Sequence, residues 1–329
     1  MDYNKELGES IFSFDCKRNE ADITVFDINK DTFNSFSKKL SDYMTNPKYS
    51  SLDEKELLDK LGMISDINGI KYLTNAGVLL FTNASKISRV YPRFHLDYKE
   101  CTISPTKVDY RYDSDDLNNT GNLIEFYNVV LNRLKIGMPN PFRLDGAVNS
   151  GDNDFISVIR EAIVNAFSNC DYTIGGITIV KYADRIVFTY TGKGLNRTLT
   201  PITATPTNVQ ISRTLRITGF AEKHESNIQK IFDTCSKMHL PEPILVEDYN
   251  SCTVLSIFTM ATAINTTEFD SEVLYLVAGS NTGISRKELL EKLGCSSTTL
   301  YRSLKKLLAS GNVITNNLST NKLRYYPNI

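Results

Sequence analysis

The sequence predicts an α+β chain of more than one domain. Three observations carry this reading. Two stretches, Gly121–Leu134 and Val158–Tyr172, have strong helical periodicity. Short β-rich runs come in pairs, one pair before the first stretch and others after the second. A polar break at 261–268 then precedes a compact helix, helix, helix, hairpin order. At 329 residues, two or three domains are the natural division. Composition places the breaks so that the domains are 1–150, 151–262 and 268–329.

In the first part, the alternation Ala21-Asp22-Ile23-Thr24-Val25-Phe26 predicts a strand. A polar helix over Lys30–Met44 follows, with Asp31 as its N-cap. Ser51 and Glu54 have capping-box spacing ahead of the apolar stripe Leu57, Leu58 and Leu61. Asn68-Gly69 predicts a hairpin turn within Ile64–Tyr72. Thr74–Phe81 is an apolar run whose length leaves strand and helix open. Arg89–Tyr98 and Thr106–Tyr112 read as strands, and Met138–Asp154, rich in Pro, Gly, Asn and Asp, as a loop.

In Val158–Tyr172 the residues Ile159, Ala162, Ile163 and Ala166 form an apolar face, while Glu161, Asn165 and Asn169 recur every four residues as a polar line. A carboxylate one turn from a carboxamide can set a general base beside a ligand for a hard cation. The same pair is more commonly a solvated face or a local hydrogen bond. Gly176–Tyr182 and Arg185–Thr191 then predict two strands closed by Gly192-Lys193-Gly194. Leu195–Ile217, with weak periodicity, reads as a mobile cover segment. A helix over Glu222–Met238 and a hairpin from Leu245 to Phe258 complete this part.

The C-terminal order, with a turn at Gly294-Cys295 and a hairpin around Ser319-Thr320-Asn321, is that of a winged helix-turn-helix. In that reading the third helix, Ser296–Ser310, enters the major groove of double-stranded DNA. It would present Ser296, Ser297, Thr298, Thr299, Tyr301, Arg302 and Lys305, and the wing would add Lys322 and Arg324. The whole chain has a net charge of only −1, so no global attraction to nucleic acid or membrane follows. From Ser285 onward, however, eight basic residues face two acidic ones, Glu288 and Glu291. The alternative for this module is packing or dimer contact alone.

Six dispersed cysteines without a C-x-x-C pair argue against a zinc site or a disulfide framework and for a reducing, cytoplasmic setting. Three scattered histidines suggest no metal cluster. No run is long and apolar enough to predict a membrane span.

Arg160-Glu161-Ala162…Asn165-Ala166…Asp171-Tyr172 resembles the R-E-A-x-x-N-A-x-x-H-R-D-Y signature of a bacterial family of transcriptional regulators. That family is related to the C-terminal region of RecG-like helicases and is associated with Schlafen-type Alba-like domains. Leu61-Gly62-Met63-Ile64, Thr74–Phe81 and Asp184-Arg185-Ile186 look like further segments of it, so the resemblance spans most of the chain. It implies a Bergerat-like (GHKL) ATP-binding α/β sandwich in the middle domain. It also implies an Alba-like domain preceding the region that the first residues here already resemble.

On that resemblance Glu161 is the general base, Asn165 the Mg²⁺ ligand, and Gly192 and Gly194 the glycines that approach the nucleotide. The chain departs from the pattern at several positions. Tyr190 stands where the family has its adenine-reading acid, and Asn169-Cys170 replaces His-Arg. Glu225 and Asn227 replace two phosphate-facing glycines. The expectation is a DNA-binding transcriptional regulator, acting as a homodimer, whose middle domain serves dimerisation or sensing and binds no cofactor. The alternatives are an ATPase or ATP-dependent switch using Glu161, Asn165 and Mg²⁺, and a purely structural module.

Overall fold

A computed structural model describes residues 13–43, 52–102, 107–136, 154–192, 206–221, 228–238, 240–247, 252–259, 268–278, 280, 283–309, 313–316 and 323–327. The expected features at Ser51, at 138–153, at 193–205, at 222–227 and at 261–267 lie outside these residues.

Among the described residues the first α-helices are α1 (Lys30–Tyr43) and α2 (Glu54–Lys60), followed by a hairpin of β1 (Ile64–Ile67) and β2 (Ile70–Leu73). Asn68 and Gly69 both have positive φ, 54° and 81°. These are the angles a two-residue type I′ turn requires, so the hairpin forms where the dipeptide predicts it. Helices α3 (Asn75–Phe81) and α4 (Ala84–Val90) follow. Thr74 settles the ambiguous apolar run as helix, because its hydroxyl accepts from the Gly77 amide.

Several local expectations fail here for identifiable reasons. Ala21–Phe26 is no strand. The Asn19 carboxamide accepts from the Ala21 and Ile23 amides and donates to the Ile23 and Leu73 carbonyls, folding the segment locally. A Thr24–Asp27 capping box then starts a 3₁₀ turn over Val25–Asp27. α1 is capped by Asn29, whose Oδ1 accepts from the Thr32 amide, not by Asp31. The capping box of α2 is Asp53–Glu56 rather than Ser51–Glu54. Of the strand expected at Arg89–Tyr98, the first part belongs to α4, which stops before Pro92, and pairing starts only at Leu96.

A six-stranded sheet organises the body, in the order β4-β3-β5-β6-β8-β7. Its strands are β3 (Leu96–Cys101), β4 (Tyr110–Asp113), β5 (Ile177–Tyr182), β6 (Arg185–Thr191), β7 (Ile244–Glu247) and β8 (Cys252–Phe258). β3 and β5 are parallel, with Leu96 opposite Ile177, and the other pairs are antiparallel. A parallel step needs a crossover. Here it contains α5 (Leu123–Lys135) and α6 (Asp154–Asn169).

Alternation along the strands sends Leu96, Tyr98, Ile177, Ile179, Ile186, Phe188 and Leu255 into one core with the helices. Val180, Tyr182 and Val187 form a smaller cluster on the opposite face. The sheet and its core draw on described residues from both sides of the division expected at 150. α6 lies at the centre of this core. Every residue from Glu161 to Asn169 on it is buried, as expected of a helix enclosed on all sides.

α7 (Val209–Ile217) and α8 (Ile228–Lys237) pack against α6. The stretch read as a mobile cover therefore ends in an ordered helix. Its apolar residues Ile211 and Leu215 recur one turn apart and are fully buried.

The C-terminal residues have their own core of Val273, Val277, Leu289, Leu300, Leu304, Leu307, Val313 and Tyr325. These come from α9 (Glu268–Ala278), α10 (Arg286–Leu293), α11 (Ser297–Ala309) and the hairpin of β9 (Val313–Thr315) with β10 (Tyr325–Pro327). α10 ends at Gly294 in the left-handed conformation, the turn expected there. Ile284 bridges to Tyr325 and ties the hairpin to the turn before α10. Among the described residues no helix is long and apolar enough to cross a membrane.

Candidate functional site

The polar line of α6 is built into the interior. Glu161 is 3% exposed, and its Oε1 accepts from Arg216 Nη1 of α7 at 3.2 Å. Arg216 Nε in turn donates to Ser212 Oγ at 3.4 Å. The carboxylate expected to act as a general base is thus an ion-pair partner of a helix that the sequence did not reveal. One turn on, Asn165 Oδ1, the atom a cation would need, accepts from the Tyr190 hydroxyl at 3.3 Å. Asn169 Nδ2 donates to the Asn165 carbonyl at 2.9 Å.

The C-terminal end of α6 meets the end of β6 at Gly192. This residue has φ +119°, and a Cβ there would lie 2.4 Å from the Asn169 carbonyl oxygen. That approach explains the glycine by protein packing alone. Asn208, just before α7, donates Nδ2 to the Phe167 and Cys170 carbonyls at 3.0 and 2.8 Å and so caps α6 from a distant segment. The structure therefore gives each of these residues a partner within the protein: Arg216 for Glu161, Tyr190 for Asn165, and the Asn169 carbonyl against Gly192. Gly194, Glu225 and Asn227 lie outside the described residues.

Sequence reasoning also missed Asp15. Its carboxylate is fully buried and its Oδ2 accepts from the Ile211 amide at 2.9 Å, at the start of α7. Burial pushes its pKa above the usual carboxylate range, against the lowering effect of hydrogen bonds from Ser13 and Ile211. On the sheet edge, His95, Asp113 and Asp115 each offer a ligand atom within 4.8 Å of the others. Arg111 Nη2 holds Asp113 Oδ2 at 2.8 Å, so part of this donor set is already paired.

The third C-terminal helix presents the face expected of it. Ser296, Ser297, Thr298, Thr299, Tyr301, Arg302 and Lys305 are exposed, while Leu300, Ser303, Leu304 and Leu307 are buried. Ser296 caps α11, its Oγ accepting from the Thr299 amide at 3.1 Å. Lys306, on the flank, pairs with Asp270 at 2.7 Å. Of the two wing residues, Lys322 lies outside the described residues. Arg324 turns inward, donating Nη1 to the Gly283 carbonyl at 2.6 Å and approaching Glu288 at 3.5 Å. Its guanidinium thus braces the hairpin. Arg286 of α10 reaches the start of α11, which spacing along the sequence could not disclose.

Residues 14–97, less than half of the chain, match the family model described as a domain of unknown function, DUF8451. No curated protein matches the chain. Among solved structures it is similar to the DIP2311 protein from Corynebacterium diphtheriae, a structural-genomics target. The TM-score is 0.57 at 12% identity, over 96% of this chain and 70% of that one. At that identity the likeness speaks for the mixed α/β fold and for nothing further.

Proposed function

We propose that this protein is a transcriptional regulator that binds double-stranded DNA through a C-terminal winged helix-turn-helix formed by α9–α11 and the β9–β10 hairpin. The observation that carries the reading is the division of α11. Its leucines fill the module's core, and its hydroxyls, Tyr301, Arg302 and Lys305 face solvent at the spacing that a helix in the major groove uses. The local excess of basic residues supplies the attraction that the near-neutral total withholds. Paired half-sites suit a homodimer.

In this reading the body descends from a GHKL-like ATP-binding fold and serves as a scaffold for dimerisation or sensing. The ion pair at Glu161 and the Tyr190 contact to Asn165 support that choice over ATP hydrolysis.

Fluorescence anisotropy of the full chain with a mixed-sequence duplex tests the DNA part. Affinity falls steeply between about 50 and 200 mM salt, and Arg302→Ala and Lys305→Ala each weaken it. An affinity that is absent or independent of salt overturns the reading. Calorimetric titration with Mg²⁺-ATP tests the scaffold part. Binding that disappears in Asn165→Ala would overturn it.

A further inference from the structure

A helix offers its polar face to a groove at one rotation about its own axis, so what fixes that rotation in α11 bears on binding. Leu300, Leu304 and Leu307 pack through apolar contacts, which carry no direction of their own. The Ser303 hydroxyl, on the same inner face, is buried with no hydrogen-bond partner and adds none. Direction comes from polar contacts towards the two ends. At the start of α11 Arg286 Nη2 donates to the Ser297 carbonyl at 2.9 Å. About 13 Å further along the axis, Lys306 Nζ donates to Asp270 Oδ2 of α9 at 2.7 Å.

The Asp270–Lys306 contact differs from a surface pair such as Lys287–Glu291, which is 4.0 Å apart with both side chains exposed. The Asp270 side chain is 5% exposed and that of Lys306 36%. Lys306 lies one turn beyond Arg302 and two beyond Thr299, so it shares the flank of α11 that carries proposed DNA contacts. Its charge and place alone would make it a further phosphate contact. Moving the ammonium to a phosphate, however, leaves the Asp270 carboxylate buried without this partner. That cost exceeds what an ion pair at the solvent surface contributes.

We infer that Asp270 and Lys306 are positioning residues: their ion pair sets the rotation of α11 against α9 and withholds the Lys306 charge from DNA. The inference rests on the DNA-binding reading above. It makes Asp270, a buried residue on a helix outside the groove, a determinant of affinity. It also removes Lys306 from the cations that release counterions on binding.

The test measures binding of the full chain to a mixed-sequence duplex across a salt series. It compares wild type with Lys305→Gln, Lys306→Arg, Asp270→Asn and the double variant Asp270→Asn/Lys306→Gln. The double variant removes both charges together and so strands neither in the interior. Thermal unfolding sets a temperature at which the variants are folded, and binding is read there. Lys305→Gln, on the exposed face, lowers the slope of log affinity against log salt by about 0.9. The double variant keeps the wild-type slope and loses affinity by one common factor at every salt concentration. Lys306→Arg, which still reaches the carboxylate, restores that affinity. Asp270→Asn alone frees Lys306 and steepens the slope by about 0.9, and an unchanged slope there overturns the inference. A role confined to stability would shift the unfolding midpoint of the double variant and leave the affinity of its folded form at the wild-type value, which also overturns it. So does a double variant whose slope falls as that of Lys305→Gln does, since Lys306 is then a phosphate contact. In each of these cases the DNA reading stands. A wild type that binds no duplex overturns both.

Discussion

The Glu161–Arg216 pair separates an architectural role for the central helix from a catalytic one. Glu161 is 3% exposed and Arg216 16%, with an N–O distance of 3.2 Å. At an effective dielectric of about 20, two unit charges at that separation attract by roughly 5 kcal/mol before desolvation is subtracted. Replacing Arg216 by Met leaves a buried carboxylate without this partner. The expected loss is about 3–5 kcal/mol of unfolding free energy. Glu161→Gln leaves a guanidinium that still reaches Ser212 and some solvent, so its cost is smaller, about 1–3 kcal/mol. The double variant should be more stable than the sum of the single losses predicts, with a coupling of about 1–3 kcal/mol.

Urea unfolding of the four proteins, followed by circular dichroism, measures each term. A catalytic carboxylate held ready for water predicts the opposite pattern. In that case Glu161→Gln would change stability by well under 1 kcal/mol, coupling to Arg216 would vanish, and an ATPase rate would fall. That outcome would refute the argument that α6 is kept for packing.

Three further outcomes follow from the same interior. Burial raises the Asp15 pKa above its unfolded value near 3.8, so the native state holds this proton more tightly than the unfolded chain. The resulting contribution to stability is fully present below that value and is lost as pH rises through the folded pKa. Asp15→Asn should therefore flatten the pH dependence of the unfolding midpoint on the alkaline side of 3.8, and a variant that tracks wild type at every pH would contradict this. Asn208→Ala strips the caps from the Phe167 and Cys170 carbonyls and should cost about 1–3 kcal/mol by denaturant titration. Gly192→Ala places a methyl against the Asn169 carbonyl at a φ of +119°, and it should lower stability by at least about 2 kcal/mol. Full stability in that variant would mean that the two segments are not in contact.

Periodicity and turn chemistry are local, and where they alone decide, the sequence was sufficient. Asn68-Gly69 turns a hairpin because both residues tolerate positive φ. Leu123, Tyr127, Val130 and Leu134 recur at helical spacing and are buried. Leu300, Leu304 and Leu307 separate the inner face of α11 from the polar face that carries the proposed contacts. Tertiary structure overruled these signals where side chains bond to distant backbone. Asn19 bends an alternating segment away from strand geometry, and Asp15 and Asn208 cap helices they do not belong to.

The sequence of Val158–Tyr172 by itself determined a helix with an apolar face and the line Glu161, Asn165 and Asn169. What that line faces was decided only by folding. Arg216, 55 positions downstream of Glu161, and Tyr190, on a strand, meet it because α7 and β6 both pack on α6. Helical spacing states which residues share a side of a helix. The partner enclosed against that side is set by long-range packing, and here it turns a possible base and metal ligand into internal braces.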